Sequence, residues 1–120
     1  MAAPLLTADN FLSAGLDIVC KHQNWRQFKH HCNIDRFKEA FGVIPETCVL
    51  IWDDLRAAND INSKSRVKHF LLAIRFLWKY ENETDLGRVF DMCPKTVRKW
   101  WKHYVPKFER LLDPKVCVLL

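Results

Sequence analysis

Glycine is scarce in this chain, with three in 120 residues. Residues that favour helices are common, and together these facts favour an all-α domain. No apolar run approaches the length needed to span a bilayer. The opening residues lack a basic segment followed by a long apolar stretch, so a secretory signal is not expected. The five cysteines are odd in number and scattered without framework spacing, which points to a reduced, intracellular protein. Internal repeats and low-complexity segments are missing. So are a nucleophile elbow, a phosphate loop and a carboxylate pair in a plausible site, which leaves an enzyme reading with little support. Asp53 and Asp54 are neighbours, but adjacent helix positions point about 100° apart and do not converge on one ion.

What is present is a folding chain with a basic surplus. Hydrophobic residues make up 49%, five of them tryptophan, and the net charge is +5. The length suits one helical domain over residues 1–120. The charge favours a polyanionic partner, nucleic acid before membrane.

Residues 1–6 read as a loose terminus. Thr7 can cap a first helix carrying Phe11, Leu12, Leu16, Ile18 and Val19. Lys21 to Asn24 break it, and Trp25 and Phe28 begin another amphipathic turn. Asn33 is the expected cap of a helix from Ile34 to Phe41, ended by a left-handed Gly42. Pro45 opens the next helix, with Val49, Leu50, Trp52 and Leu55 as its apolar positions. Ala58 to Ser65 is the main loop. Val67 to Tyr80 is apolar almost all round and is expected to be the central buried helix. A break or kink is expected at Pro106. Cys20, His22, His30, His31 and Cys32 have ligand chemistry for zinc, but their spacing fits no usual knuckle. The plain reading is a buried cysteine or two with surface histidines, and no metal or other cofactor. Protonation of those histidines in mild acid would add positive charge.

The most informative stretch runs from Glu81 to Tyr104. Asn82 or Thr84 can cap a short helix with Leu86, Val89 and Phe90 on one face. Gly87 is the small residue where two helices would cross. Asp91-Met92-Cys93 makes the turn. Asp91 takes the position that wants left-handed backbone, where Gly is best and Asp is tolerated. Pro94 suits the first position of a second helix. There Val97, Trp100 and Trp101 face back to the core, but adjacent tryptophans cannot both point squarely inward, so one is expected to be partly exposed and Trp100 is favoured for the core. Lys95, Thr96, Arg98, Lys99 and Lys102 face outward. Residues 83–104 thus have the layout of a helix-turn-helix offering its second helix to the major groove of double-stranded DNA.

The segments Phe37–Leu55, His69–Tyr80 and Thr84–Trp101, in that order, make the chain resemble the N-terminal helical region of Harbinger-type transposases. Residues 1–32 form an N-terminal extension outside the resemblance, 33–112 carry it, and 113–120 are a tail. In those proteins a helix-turn-helix precedes a DDE nuclease domain. The resemblance implies a DNA-binding module of transposase origin acting in the nucleus, with a homodimer or a separate catalytic subunit as further partners. The family's catalytic carboxylates have no counterpart here, and the eight residues after Leu112 leave no room for a nuclease. The expectation is a fragment or a stand-alone binding protein, and not an enzyme.

Arg98 has the planar fork that matches guanine O6 and N7. Lys95 meets phosphate or a base edge, Thr96 a thymine methyl or phosphate, and Lys99, Lys102 and His103 the backbone. The alternative is a helical protein-interaction domain. Cys117-Val118-Leu119-Leu120 fits a prenylation pattern, so Cys117 could tether that domain to a membrane, helped by Lys107, Arg110 and Lys115.

Overall fold

The computed structural model describes residues 3–111. Cys117 and the tail around it lie outside the described residues. Among the described residues six α-helices follow one another: α1 (Ala8–Val19), α2 (His30–Phe41), α3 (Pro45–Ala57), α4 (Val67–Lys79), α5 (Glu83–Phe90) and α6 (Pro94–Leu111). A single 3-10 turn, Trp25–Gln27, links α1 to α2. The all-α architecture is therefore the one expected.

Several helix ends follow directly from local chemistry. The Thr7 hydroxyl accepts from the Asn10 N–H at 3.3 Å, and the Asn10 side chain accepts from the Thr7 N–H at 2.9 Å. That reciprocal pair satisfies two donors that have no partner within α1. Gly42 ends α2 with φ +79°, and Pro45 opens α3. The indole of Trp78 lies across Gly42, where an added Cβ would meet it at 2.4 Å.

Other ends moved because tertiary contacts outweighed local preference. α2 starts at His30, so Asn33 lies inside it and is not its cap. The buried Asn33 amide donates to the carbonyls of Trp25 (3.1 Å) and Phe28 (3.4 Å) instead. It thereby ties the 3-10 turn to α2. Residues 3–6 are not loose. Ala3 is buried, its carbonyl accepts from Arg56 Nε at 2.9 Å, and the Pro4 carbonyl accepts from Trp52 Nε1 at 2.9 Å. In α3 the buried stripe is Cys48, Trp52 and Leu55, while Leu50 is exposed.

α4 is central only over its first half. Phe70 through Ile74 are all buried, whereas Leu77, Trp78 and Tyr80 are exposed. α6 runs through Pro106 without ending there. The proline is exposed, and the carbonyl it leaves without a donor belongs to exposed Lys102. Tyr104 and Phe108, on either side of it, are buried. A proline inside a helix costs about 3 kcal/mol. Burying two aromatic rings returns roughly 2 kcal/mol each, enough to carry the helix through.

The core is one cluster drawing on every helix. Phe70 is its meeting point. Its ring lies 5.5 Å from Phe11 of α1, 5.4 Å from Trp52 of α3, and 6.1 and 5.5 Å from Tyr104 and Phe108 of α6. Most of these contacts are edge-on, the arrangement that ring quadrupoles favour. Phe70→Ala is expected to lower stability by about 3–5 kcal/mol in denaturant titration, through lost transfer energy and the cavity left behind. A loss below about 1 kcal/mol would mean that the rings around it do not depend on it.

Candidate nucleic-acid interface

α5 and α6 are joined by the three residues Asp91, Met92 and Cys93. Asn82 caps α5, its Oδ1 accepting from the Asp85 N–H at 2.8 Å. Asp91 adopts left-handed backbone, φ 54° and ψ 49°, as its position requires. A residue other than Gly pays for that conformation, and here the Asp91 side chain is held by a cation 70 residues away. Lys21 Nζ lies 3.2 Å from Asp91 Oδ1, and 3.4 and 3.5 Å from the carbonyls of Arg88 and Val89. It neutralises the aspartate and occupies the negative end of α5 together.

Gly87 is needed, though not for a crossing of two helices. A Cβ there would meet the Met92 carbonyl oxygen at 2.4 Å, and Val97 is farther off at 3.6 Å. The turn folds back onto its own helix, and only hydrogen fits between them.

α6 turns Val97, Tyr104 and Phe108 inward. The two adjacent tryptophans straddle that stripe, and each is half-buried. Trp100 stacks on His69 of α4 with centroids 3.7 Å apart and planes 10° apart. Trp101 stacks on Phe76 at 4.6 Å and 6°. Its indole N–H donates to Glu83 Oε2 at 2.8 Å. Only one ring was expected to point squarely inward, Trp100 by preference; instead both are half-buried and wall the core on either side.

The expected contact residues fall on one helix, but they are not alike. Lys95, Lys99 and Lys102 are exposed, and among the described residues none forms an ion pair. Lys99 Nζ lies 4.9 Å from the Trp100 ring centre and Lys102 Nζ 5.9 Å from that of Trp101. Arg98 is engaged. Its Nη2 lies 2.7 Å and its Nε 3.0–3.1 Å from the Glu83 carboxylate. The fork that would fit a guanine is therefore filled by a carboxylate of α5. This contact, with that from Trp101, holds the Glu83 carboxyl below its usual range. Thr96 is half-buried and its hydroxyl sits 3.2 Å from Cys93 Sγ. That contact, followed by backbone N–H groups at the start of α6, draws the exposed Cys93 thiol below its ordinary pKa. His103 is exposed and lies edge-on to Trp100 and Tyr104.

Lys21 has no sequence signal, since nothing local connects it to Asp91. Glu83 was legible only as a charge in the first turn of α5. A single histidine on an apolar helix likewise carries no signal that it will stack on Trp100.

The other candidate features stay apart from this face. Cys20 and Cys32 are half-buried, and His31 Nε2 approaches Cys32 Sγ at 3.4 Å. Among the described residues no three ligand-type side chains gather in a way that could hold a metal ion. Asp53 is half-buried and Asp54 exposed. No helix among the described residues is long and apolar enough to cross a membrane. Comparison with known proteins finds no matching family model, no matching curated protein and no matching solved structure.

Partial burial, followed by the charges of Arg66, Lys68, Lys99 and His103, pushes the His69 imidazole down from 6.5 to about 4. In the unfolded chain the same ring takes a proton near 6.5. The unfolded state therefore binds more protons between those values, and stability falls as pH drops from 6.5 to about 4. His69→Phe keeps a ring on Trp100 and cannot titrate. Thermal melts across this range should fall less steeply for the variant than for the wild type. Parallel curves would show that His69 titrates normally in the fold.

Proposed function

We propose that the chain is a DNA-binding module in which α5 and α6 act as a helix-turn-helix and α6 enters the major groove. The carrying observation is the outward face of α6. Lys95, Lys99 and Lys102 stand exposed on a helix that follows a three-residue turn, without a carboxylate partner among the described residues. The helix is braced from behind by α4 and from the side by Glu83, so the backbone that carries these cations is held in place. Cations carried on a braced helix of this width suit a duplex groove, where phosphate contacts position and base edges specify. The order of motifs shared with Harbinger-type transposases supports the same reading and suggests transposon ends as the kind of site.

In this reading Lys95, Lys99 and Lys102 meet phosphates or base edges. Arg98 begins as part of the brace. To read a guanine it must exchange the Glu83 carboxylate for O6 and N7, two acceptors of similar spacing. The pair is open enough for that exchange, with the Arg98 side chain 54% exposed. The protein acts in the nucleus and has no chemistry of its own; a second copy or a catalytic subunit would supply the rest of a transposition complex.

The second reading is a helical module that binds another protein. The observation favouring it is the apolar end of α4, where Trp78 is 55% and Tyr80 81% exposed. Duplex competition separates the two, because a protein bound at that end would not be displaced by DNA.

Selection from a random duplex pool at several salt concentrations tests the proposal, using wild type, Lys99→Gln and Arg98→Ala. The wild type should enrich a sequence and lose affinity steeply with salt. Lys99→Gln should weaken all duplexes alike and reduce the salt slope by about one. Arg98→Ala should cost on the order of 1–3 kcal/mol and relax the preference at one base pair. Salt-sensitive binding without enrichment would reduce α6 to a generic basic surface. No duplex binding at low salt would overturn the proposal.

A further inference from the structure

The cations of this molecule do not end at α6. Arg66 caps α4 and Lys68 stands in its first turn, roughly 30 residues earlier in the chain. Packing brings them to the same face. The His69 ring, stacked on Trp100, feels Arg66 and Lys68 from its own helix and Lys99 and His103 from α6. His103 in turn feels Lys107 and Lys99. These groups form one strip running from the start of α4 along one side of α6, with the His69–Trp100 stack as its floor.

The two sides of α6 therefore differ. On the α5 side, Glu83 pairs with Arg98 and offsets its charge, while Lys102 feels that carboxylate without pairing with it. On the α4 side, Arg66, Lys68 and Lys99 have no ion-pair partner among the described residues. Lys68 shares a cleft of about 140 Å³ with Asp17 and Asp91, but Arg26 and Lys21 already pair with those carboxylates. The strip closes beyond Lys107, where Asp60 pairs with Arg110.

We propose that the sugar–phosphate backbone of a bound duplex lies along this α4–α6 strip, contacted by Arg66, Lys68 and Lys99, so that α4 is a second DNA-contacting helix. The inference rests on α6 being the helix that enters the groove. It adds which edge of the groove the protein follows and which residues outside α5 and α6 hold it. Arg66 and Lys99 are exposed, and with half-buried Lys68 they surround the His69 ring. An open row of cations suits an extended polyanion, which engages all of them, better than a small anion that reaches one or two.

The test is a salt titration of duplex binding with Arg66→Gln/Lys68→Gln against a control of equal charge change. Lys29→Gln/Lys38→Gln serves as the control, since both residues are exposed on or beside α2, which packs on α1, α3 and α4. Circular dichroism melts establish that both variants fold. The strip variant should lose about ten-fold or more in affinity at 0.1 M salt, and its log–log salt slope should shrink by about two, with the enriched sequence unchanged. The control should keep the wild-type slope. If both doubles lose equally, or the strip variant keeps the wild-type slope while Lys99→Gln does not, the α4 contact is wrong and α6 binding stands. If the wild type binds no duplex, both ideas fall.

Discussion

Phe70 is the constraint on which the remaining arrangement depends. Its ring is fully buried and touched by aromatic rings from three other helices. A helix of this length gains little stability alone and holds its angle only through the face it buries. Because α1, α3 and α6 all converge on one ring of α4, the placement of each limits the others. α6 in particular is fixed from beneath by Phe70, through Tyr104 and Phe108, before any contact of its surface is considered.

That fixed helix then receives its orientation from two charged contacts of different kinds. Lys21 reaches from the end of α1 to the turn and binds Asp91 with the last carbonyls of α5. Glu83, at the opposite end of α5, takes the Arg98 fork and the Trp101 indole. Each is solvent-accessible, so neither contributes much as an ion pair alone. Their effect is geometric: both ends of α5 are tied, one to α1 and one to α6, and the turn between α5 and α6 has no freedom left. Gly87 completes the constraint by letting the Met92 carbonyl approach.

The same contacts divide the charge of α6. Glu83 draws Arg98 toward α5, while the opposite side merges with the cations of α4 around a histidine that burial, with help from their charge, keeps neutral. A surface polarised in this way has a preferred direction for a polyanion lying against it. The stacked pairs His69–Trp100 and Phe76–Trp101 add rigidity at both edges. They explain why two consecutive tryptophans can coexist on a helix where only one could point squarely inward.

By itself the sequence determined what depends on neighbours along the chain. Thr7, Asn82, Pro45 and Pro94 mark helix starts, and Gly42 and Asp91 mark ends, because capping and left-handed backbone are decided within a few residues. The outward lysines of α6 were legible from helical spacing alone. Tertiary structure decided whatever required a distant partner. Asn33 became a bridge and not a cap because the carbonyls of Trp25 and Phe28 came within its reach. Ala3 and Pro4 were pinned by Arg56 and Trp52, and α6 continued through Pro106 because aromatic burial outweighed a lost hydrogen bond. The partners of Asp91 and Arg98, and the gathering of Arg66 and Lys99 around His69, likewise have no local signal. They arise where helices cross, and the crossing is set by how the rings around Phe70 pack.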